Sequence, residues 1–201
     1  MLYNYNSDKS QELAVLWQQV VQGDTASFNL IHTCLFEGLF YYARKWLEDD
    51  SLASDAIQEL FIKLWEKRHR IGMVANVQTY FFTALRRQLL NQVRAGKQLA
   101  RLAAPAGPMI EFSPEEIIIQ TEESRHLHAK LTALLNSLPP RQREIIYLHF
   151  FEKIEYREIA AIMKINYQSV LNLMHKALEN LRKNPDLLFS FLMLLGTFTA
   201  V

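Results

Sequence analysis

The sequence has a single cysteine, Cys34, so no disulfide can form within the chain. That fits a reducing compartment, and Cys34 itself is expected as a small buried hydrophobe. Glycine and proline are scarce, six of each in 201 residues. Alternating β-branched runs and Asn-Gly or Asp-Gly turns are missing, which excludes a hairpin-built fold. The segment Met1 to Ser10 is polar and lacks the basic, apolar, small-residue order of a secretory signal. The one long apolar run, Leu187 to Val201, would span only about 22 Å as a helix, against the roughly 30 Å of a bilayer core. The chain is therefore expected to be cytoplasmic and not membrane-spanning.

Signatures of chemistry are missing too. There is no Gly-rich phosphate loop, no Cys-x-x-Cys and no His-Glu-x-x-His. His126 and His128 are two apart, so a helix points them to different faces and they make a poor metal pair. No Ser/His/Asp set can be assembled. Neither a metal, nor a cofactor, nor an enzymatic activity is expected.

What is present is helical periodicity and a blocked charge pattern. The net charge of +1 hides four segments. Met1 to Ile62 carries three basic and nine acidic residues, Lys63 to Arg101 nine basic and one acidic. Leu102 to Ser124 carries five acidic residues and no basic one, and Arg125 to Lys183 ten basic and five acidic. Two basic segments flanking an acidic one point either to two polyanion-facing surfaces on separate modules or to solvated helix faces.

The periodicity predicts an all-α protein of two small helical domains joined by a linker. Leu13 to Val21 reads as a first helix, broken by Gly23 and Asp24. A second runs from about Ala26 to Leu47, with Thr25 or Ser27 as its cap. Ser54 can cap a third from Asp55 to about Arg68, and Arg70 to Val77 is irregular. Gln78 to Lys97 forms the next helix and completes a domain over residues 1–98. The Pro- and Glu-containing stretch 99–121 reads as the linker. A second domain over 122–185 holds helices at Glu122 to Asn136, Arg141 to Phe151, Tyr156 to Met163 and, capped by Asn166, Tyr167 to Arg182. Residues 186–201 form a hydrophobic tail, for which packing, partner binding and fraying all remain open.

Within the second domain, Ile159, Ala160, Ile162 and Met163 supply an apolar face, and Ile165 can plug the turn after them. Val170, Met174, Ala177, Leu178 and Leu181 form one stripe on the last helix. Opposite lie Gln168, Ser169, Asn172, His175, Lys176 and Glu179. Two short helices about a tight turn, the second with a polar face, make a helix-turn-helix pattern, since one helix fits the DNA major groove and such side chains reach base edges. The ordinary alternative is a helical hairpin.

Four fragments then carry a resemblance. Leu138-Pro139-Pro140-Arg141-Gln142-Arg143-Glu144, Tyr156-Arg157-Glu158-Ile159-Ala160, Ser169-Val170 and Lys176-Ala177-Leu178-Glu179-Asn180-Leu181-Arg182 resemble, in this order, the fourth conserved region of bacterial sigma factors. The resemblance implies binding of the minus-35 promoter element and of the polymerase flap. Lys164 stands where the family commonly has glycine, a departure that costs about 1 kcal/mol if φ is positive. Leu171 and Leu173 replace polar or basic residues and leave a thin base-reading repertoire.

The first domain extends the resemblance. Asp55-Ala56-Ile57-Gln58-Glu59-Leu60-Phe61-Ile62-Lys63-Leu64-Trp65 resembles the second conserved region, whose helix docks on the polymerase clamp. Ile57, Leu60, Phe61, Leu64 and Trp65 form its apolar stripe. Asp55, Gln58, Glu59, Ile62 and Lys63 are the candidate polymerase-binding residues. Val77 to Arg94 resembles the segment that reads the minus-10 element. Arg87, Asn91 and Arg94 recur at i, i+4 and i+7, with Arg86 and Lys97 at the edges of that face, and such cations can track phosphates. In the family the preceding loop holds a base flipped from the non-template strand. Here that loop runs from about His69 to Gln78, with Arg70, Asn76 and Gln78 as polar candidates. Tyr80 to Phe82 are either stacking residues or core. Thr83 and Arg87 replace the family's frequent arginine and asparagine, so contacts do not carry over residue by residue.

With roughly 160 residues matched in order, the chain resembles an extracytoplasmic-function (ECF) sigma factor. That implies core RNA polymerase and promoter DNA as partners, an anti-sigma factor as a further one, and an acidic linker (Glu111, Glu115, Glu116, Glu122, Glu123) that threads the polymerase along a basic path. The alternatives are a helix-turn-helix regulator acting without polymerase and a helical interaction protein that binds no DNA.

Overall fold

A computed structural model describes the backbone of residues 2–47, 49–100, 110, 112 and 122–183, and side chains over 9–47, 49–94, 110, 112 and 129–183. Among the described residues there is no strand. The chain divides into two compact units, one of residues 1–106 with 161–164 and the other of residues 107–160 with 165–201.

The first unit holds α1 (Leu2–Val21), α2 (Thr25–Leu47), α3 (Asp50–Ile71) and α4 (Val77–Ala100). The first helix begins eleven residues before the expected Leu13, because nothing between Leu2 and Leu13 is a glycine or proline able to stop it. It ends at Gly23, whose φ of 101° suits only glycine. The expected caps differ. Asp24 caps α2 in place of Thr25 or Ser27, accepting from the Ala26 and Ser27 amides at 3.2 and 3.0 Å. The Ser27 hydroxyl, first, and then these amides hold its carboxyl below the ordinary 3.8. Asp49 caps α3 in place of Ser54, accepting from the Leu52 amide at 2.9 Å, so the helix starts one turn early. Gly72 closes α3, donating to the Arg68 carbonyl at 3.1 Å.

The core of this unit is built on rings. Trp17, Tyr42, Phe81 and Phe82 are buried beside Leu13, Ile31, Leu39, Ile57, Leu85 and Leu89. Trp17 meets Phe81 edge-on at 5.9 Å, and Phe81 tilts against Phe61 at 5.2 Å. Phe81 and Phe82 are therefore packing residues and not stacking platforms. Cys34, expected inside, is exposed on α2.

Downstream of residue 107 lie α5 (Glu122–Ser137), α6 (Pro140–Ile146), α7 (Tyr156–Met163) and α8 (Tyr167–Arg182). Pro140 at the start of α6 spares an amide that no helix could use. The expected helix to Phe151 does continue, but as a wider π turn over Tyr147–Phe151, closed by the Glu152 amide on the Tyr147 carbonyl at 3.2 Å. His149 lies within this turn, and its imidazole bonds the Ile154 carbonyl at 3.0 Å. Burial, chiefly, holds the His149 ring below its ordinary 6.5 and Lys153 below its ordinary 10.5.

Most of the expected linker 99–121 lies outside the described residues. Its two described positions past the fourth helix, Ile110 and Phe112, are buried. Asn136 grips Phe112 by two bonds, its Oδ1 accepting from the Phe112 amide at 2.8 Å and its Nδ2 donating to the Phe112 carbonyl at 3.0 Å. The linker acidic side chains Glu111, Glu115, Glu116, Glu122 and Glu123, and the tail 186–201, lie outside the described side chains.

Candidate nucleic-acid interface

Along α4, about 100° per residue puts Phe82, Leu85 and Leu89 on the inner face and Arg87, Asn91 and Arg94 together on the outer one. The latter three are all exposed. Arg86 departs from the expected edge position. It follows Phe82 by one turn, is 8% exposed, and sits over the Trp46 ring at 5.7 Å. A cation on a ring inside the unit is a packing element and leaves the phosphate-tracking row. Lys97 falls on α4, but its side chain lies outside the described residues.

The loop before α4 also differs from expectation. Arg70 is exposed on the last turn of α3. Asn76 is half-buried and caps α4, its Oδ1 accepting from the Thr79 amide at 2.9 Å. Its oxygen is committed to the backbone, which weakens it as a base reader. Gln78 is half-buried. The loop also presents Met73, 59% exposed, which no sequence pattern pointed to. Its polarizable thioether suits the face of a base.

On α3 the apolar stripe forms as expected, with Ile57, Leu60, Phe61 and Leu64 buried and Trp65 half-buried. Asp55, Gln58, Glu59, Ile62 and Lys63 are all exposed along one side. Glu59 does more than wait for a partner: it pairs with Lys63 and accepts from the Gln88 amide of α4 at 2.8 Å. Gln88 also donates to the Ala56 carbonyl at 2.9 Å. Two large apolar side chains stand in this polar face, Ile62 at 58% and Leu52 at 53% exposure. Leu52 was overlooked because the expected helix began after it. An apolar pair within a polar rim is the anatomy of a protein-docking surface.

In the helix-turn-helix, Asn166 caps α8 as expected, accepting from the Ser169 amide at 2.7 Å. The turn holds Lys164 at φ 52°, the left-handed conformation that its glycine-like place implied. Ile165 is half-buried and its amide bonds the Ala160 carbonyl at 3.1 Å. Val170, Met174, Ala177 and Leu181 are buried, Leu178 half-buried. Gln168, Asn172, His175 and Lys176 are exposed on the opposite side, and Ser169 is half-buried at the helix start. Gln168 donates to Asn172 at 3.1 Å, one helical turn on. Tyr156, Leu171, Met174 and Leu178 line a shallow depression beside this polar row.

Among the described residues no group of histidine, cysteine, aspartate and glutamate could hold a metal. Among them, too, no helix is long and apolar enough to cross a membrane.

Comparison with known proteins falls on these same elements. The model of Sigma-70 region 2 matches residues 35–98, and that of Sigma-70, region 4 matches residues 128–181. The chain is 21% identical over 180 residues to the ECF RNA polymerase sigma factor SigK of Mycolicibacterium vanbaalenii, covering 86% of this chain and 88% of that protein. It is 21% identical over 174 residues to the ECF RNA polymerase sigma factor SigX of Bacillus subtilis, covering 83% and 88%. The fold matches that of the sigma factor RpoE from Bartonella quintana, solved with the anti-sigma factor NepR, at a TM-score of 0.59 and 20% identity over 78% of this chain and 94% of that one. Two region models in the right order, one on α2 to α4 and one on α5 to α8, together with full-length relatives of one kind, place the chain in the sigma-70 family, as an ECF sigma factor.

Proposed function

We propose that this chain directs bacterial RNA polymerase to specific promoters and starts transcription there. The α3 face, with Asp55, Gln58, Glu59, Ile62 and Lys63 joined by Leu52, docks on the core enzyme. Arg87, Asn91 and Arg94, with Arg70, Met73 and the rest of the loop before α4, engage the melted minus-10 element. Gln168, Ser169, Asn172, His175 and Lys176 of α8 engage the minus-35 duplex. The chain works in the cytoplasm, needs no cofactor, and leaves the chemistry of RNA synthesis to the polymerase. An anti-sigma factor is a further partner by analogy with the sigma factor solved alongside one.

One observation carries this reading. Exposed apolar side chains in a polar face on α3 stand beside an exposed cation row on α4, in the same unit. A regulator acting without polymerase has no use for the first surface. Run-off transcription from a genomic fragment library, with purified core polymerase and with or without the chain, tests it. New start sites that need the chain, and that weaken with Arg87→Ala/Arg94→Ala, are expected. DNA binding without new starts would establish the simple regulator instead, and neither activity the interaction protein.

A further inference from the structure

The loop between α3 and α4 is held at both ends by α1. Trp17 is fully buried and donates its indole N–H to the Gly72 carbonyl at 2.8 Å. At the other end the Asn76 amide donates to the Ser10 hydroxyl at 3.3 Å. Gly72 has a φ of +63°, a conformation that L side chains rarely adopt, and its own N–H bonds the Arg68 carbonyl at 3.1 Å. The amide and the carbonyl of Gly72 are therefore both fixed, by different helices. A buried indole N–H needs such an acceptor, so the tie is built into the packing of α1. The Trp17 ring also meets Phe81 edge-on and lies 6.5 Å from Tyr80, which sets the first turn of α4 against the same residue.

Between the two ties the chain exposes Met73 and Ala75, with Val74 half-buried. Gly72 to Asn76 carries no charge. Such a loop adds little to the pull on phosphates, which belongs to Arg87 and Arg94. What it offers is a shape, and a shape selects only while its backbone is held.

We infer that Trp17 is a positioning residue for base selection: its indole N–H fixes the Gly72 carbonyl, and with it the direction in which Met73 leaves α3 to meet an unstacked base. Ser10 assists at the far end of the loop. The specificity apparatus thus includes α1, which lies wholly outside the residues matched by the region 2 model. This rests on the promoter-reading role proposed above.

The full-length chain and Trp17→Phe are each assembled with core polymerase. Each is titrated with single-stranded oligonucleotides carrying the minus-10 element found by transcription, with all four bases at every position. Trp17→Phe keeps an aromatic ring but removes the N–H together with part of the indole's volume from a fully buried site, so its thermal midpoint is expected to fall. It is expected to assemble and to lose about fivefold in base preference, the worth of one neutral hydrogen bond, at one position only. Ser10→Ala is expected to show a smaller loss at the same position. Unchanged preference in Trp17→Phe overturns the inference. So does a uniform loss at all positions, which would make Trp17 an ordinary core residue. If Trp17→Phe fails to assemble, Ser10→Ala decides, and unchanged preference there overturns it. A wild-type chain with no base preference at any position would sink the promoter-reading role itself, and the inference with it.

Discussion

The first unit packs its helices on rings, and the second mostly on aliphatic chains. Trp17, Tyr42, Phe81 and Phe82 fill one core, while Leu131, Leu135, Ile145, Ile146 and Ile159 dominate the other. The outer faces differ in a matching way. On α4 the exposed row carries two arginines about an asparagine, and the one arginine that strays inward, Arg86, is absorbed by the Trp46 ring. On α8 the exposed row carries amides, an imidazole and one lysine, and Gln168 is already bonded to Asn172. Cations act at a distance and through phosphates, whereas amides act only at close range and through base edges. On the proposed function, the same architecture, helices with one buried stripe, offers one surface to a flexible, exposed backbone and another to an intact groove.

The largest effects should come from the cores. Phe81→Ala removes a fully buried ring and should cost about 3–5 kcal/mol. All three tryptophans, Trp17, Trp46 and Trp65, lie in the first unit, so their fluorescence during urea unfolding reports on that unit. Leu135→Ala should cost about 2–5 kcal/mol in the second unit. It should shift the far-ultraviolet dichroism transition while leaving the tryptophan signal of the first unit in place. An unchanged tryptophan midpoint in Phe81→Ala would break the contrast between the two cores.

Next in size are the reading faces. Arg87→Ala/Arg94→Ala should weaken binding of the single-stranded minus-10 element and lower the salt slope by about 1.4, near 0.7 for each phosphate no longer neutralised. Gln168→Ala/Asn172→Ala should leave the salt slope alone and relax minus-35 sequence preference by about 1–3 kcal/mol for each base edge no longer read. Competition titrations at several salt concentrations separate the two.

A smaller effect sharpens the comparison inside the helix-turn-helix. Lys164 adopts a φ of 52°, where a side chain is strained, so Lys164→Gly should stabilise the helix-turn-helix by about 1 kcal/mol and raise the thermal midpoint. A lowered midpoint would contradict this.

The smallest effect is a pH dependence. The folded second unit holds His149 below its ordinary 6.5, mainly by burial. Its stability contribution is fully present above that value and is lost as pH falls from about 6.5 through the lower folded value. The thermal midpoint of the second unit should therefore fall in that window, and His149→Gln should flatten the fall. A midpoint that rose on acidification there would contradict the sign.

Much of this was legible in the sequence because apolar periodicity is long and consistent: α2, α4, α5, α7 and α8 start and stop within a few residues of expectation. The caps were less legible, since Asp24, Thr25 and Ser27, or Asp49, Asp50 and Ser54, all offer oxygens and only the backbone path selects one. The π turn at Tyr147–Phe151 has no period of its own to read. At the site, the helix angle already puts Arg86 one turn from Phe82, so its burial could have been found. Asn76, three residues before Thr79, carries an ordinary cap signal. Leu52 was hidden by the misplaced start of α3. Trp17 was out of reach, because its bond to Gly72 joins residues 55 apart and no local pattern announces it.

On the proposed function, the two units read DNA in different states. The most direct test measures binding of the assembled polymerase to a single-stranded minus-10 oligonucleotide and to a duplex minus-35 fragment. The wild-type chain, Arg87→Ala/Arg94→Ala and Gln168→Ala/Asn172→Ala are compared. The first double substitution should weaken only the single strand, and the second only the duplex. Equal weakening of both ligands by either variant, or no binding of the single strand by the wild type, would contradict the division of labour drawn from α4 and α8.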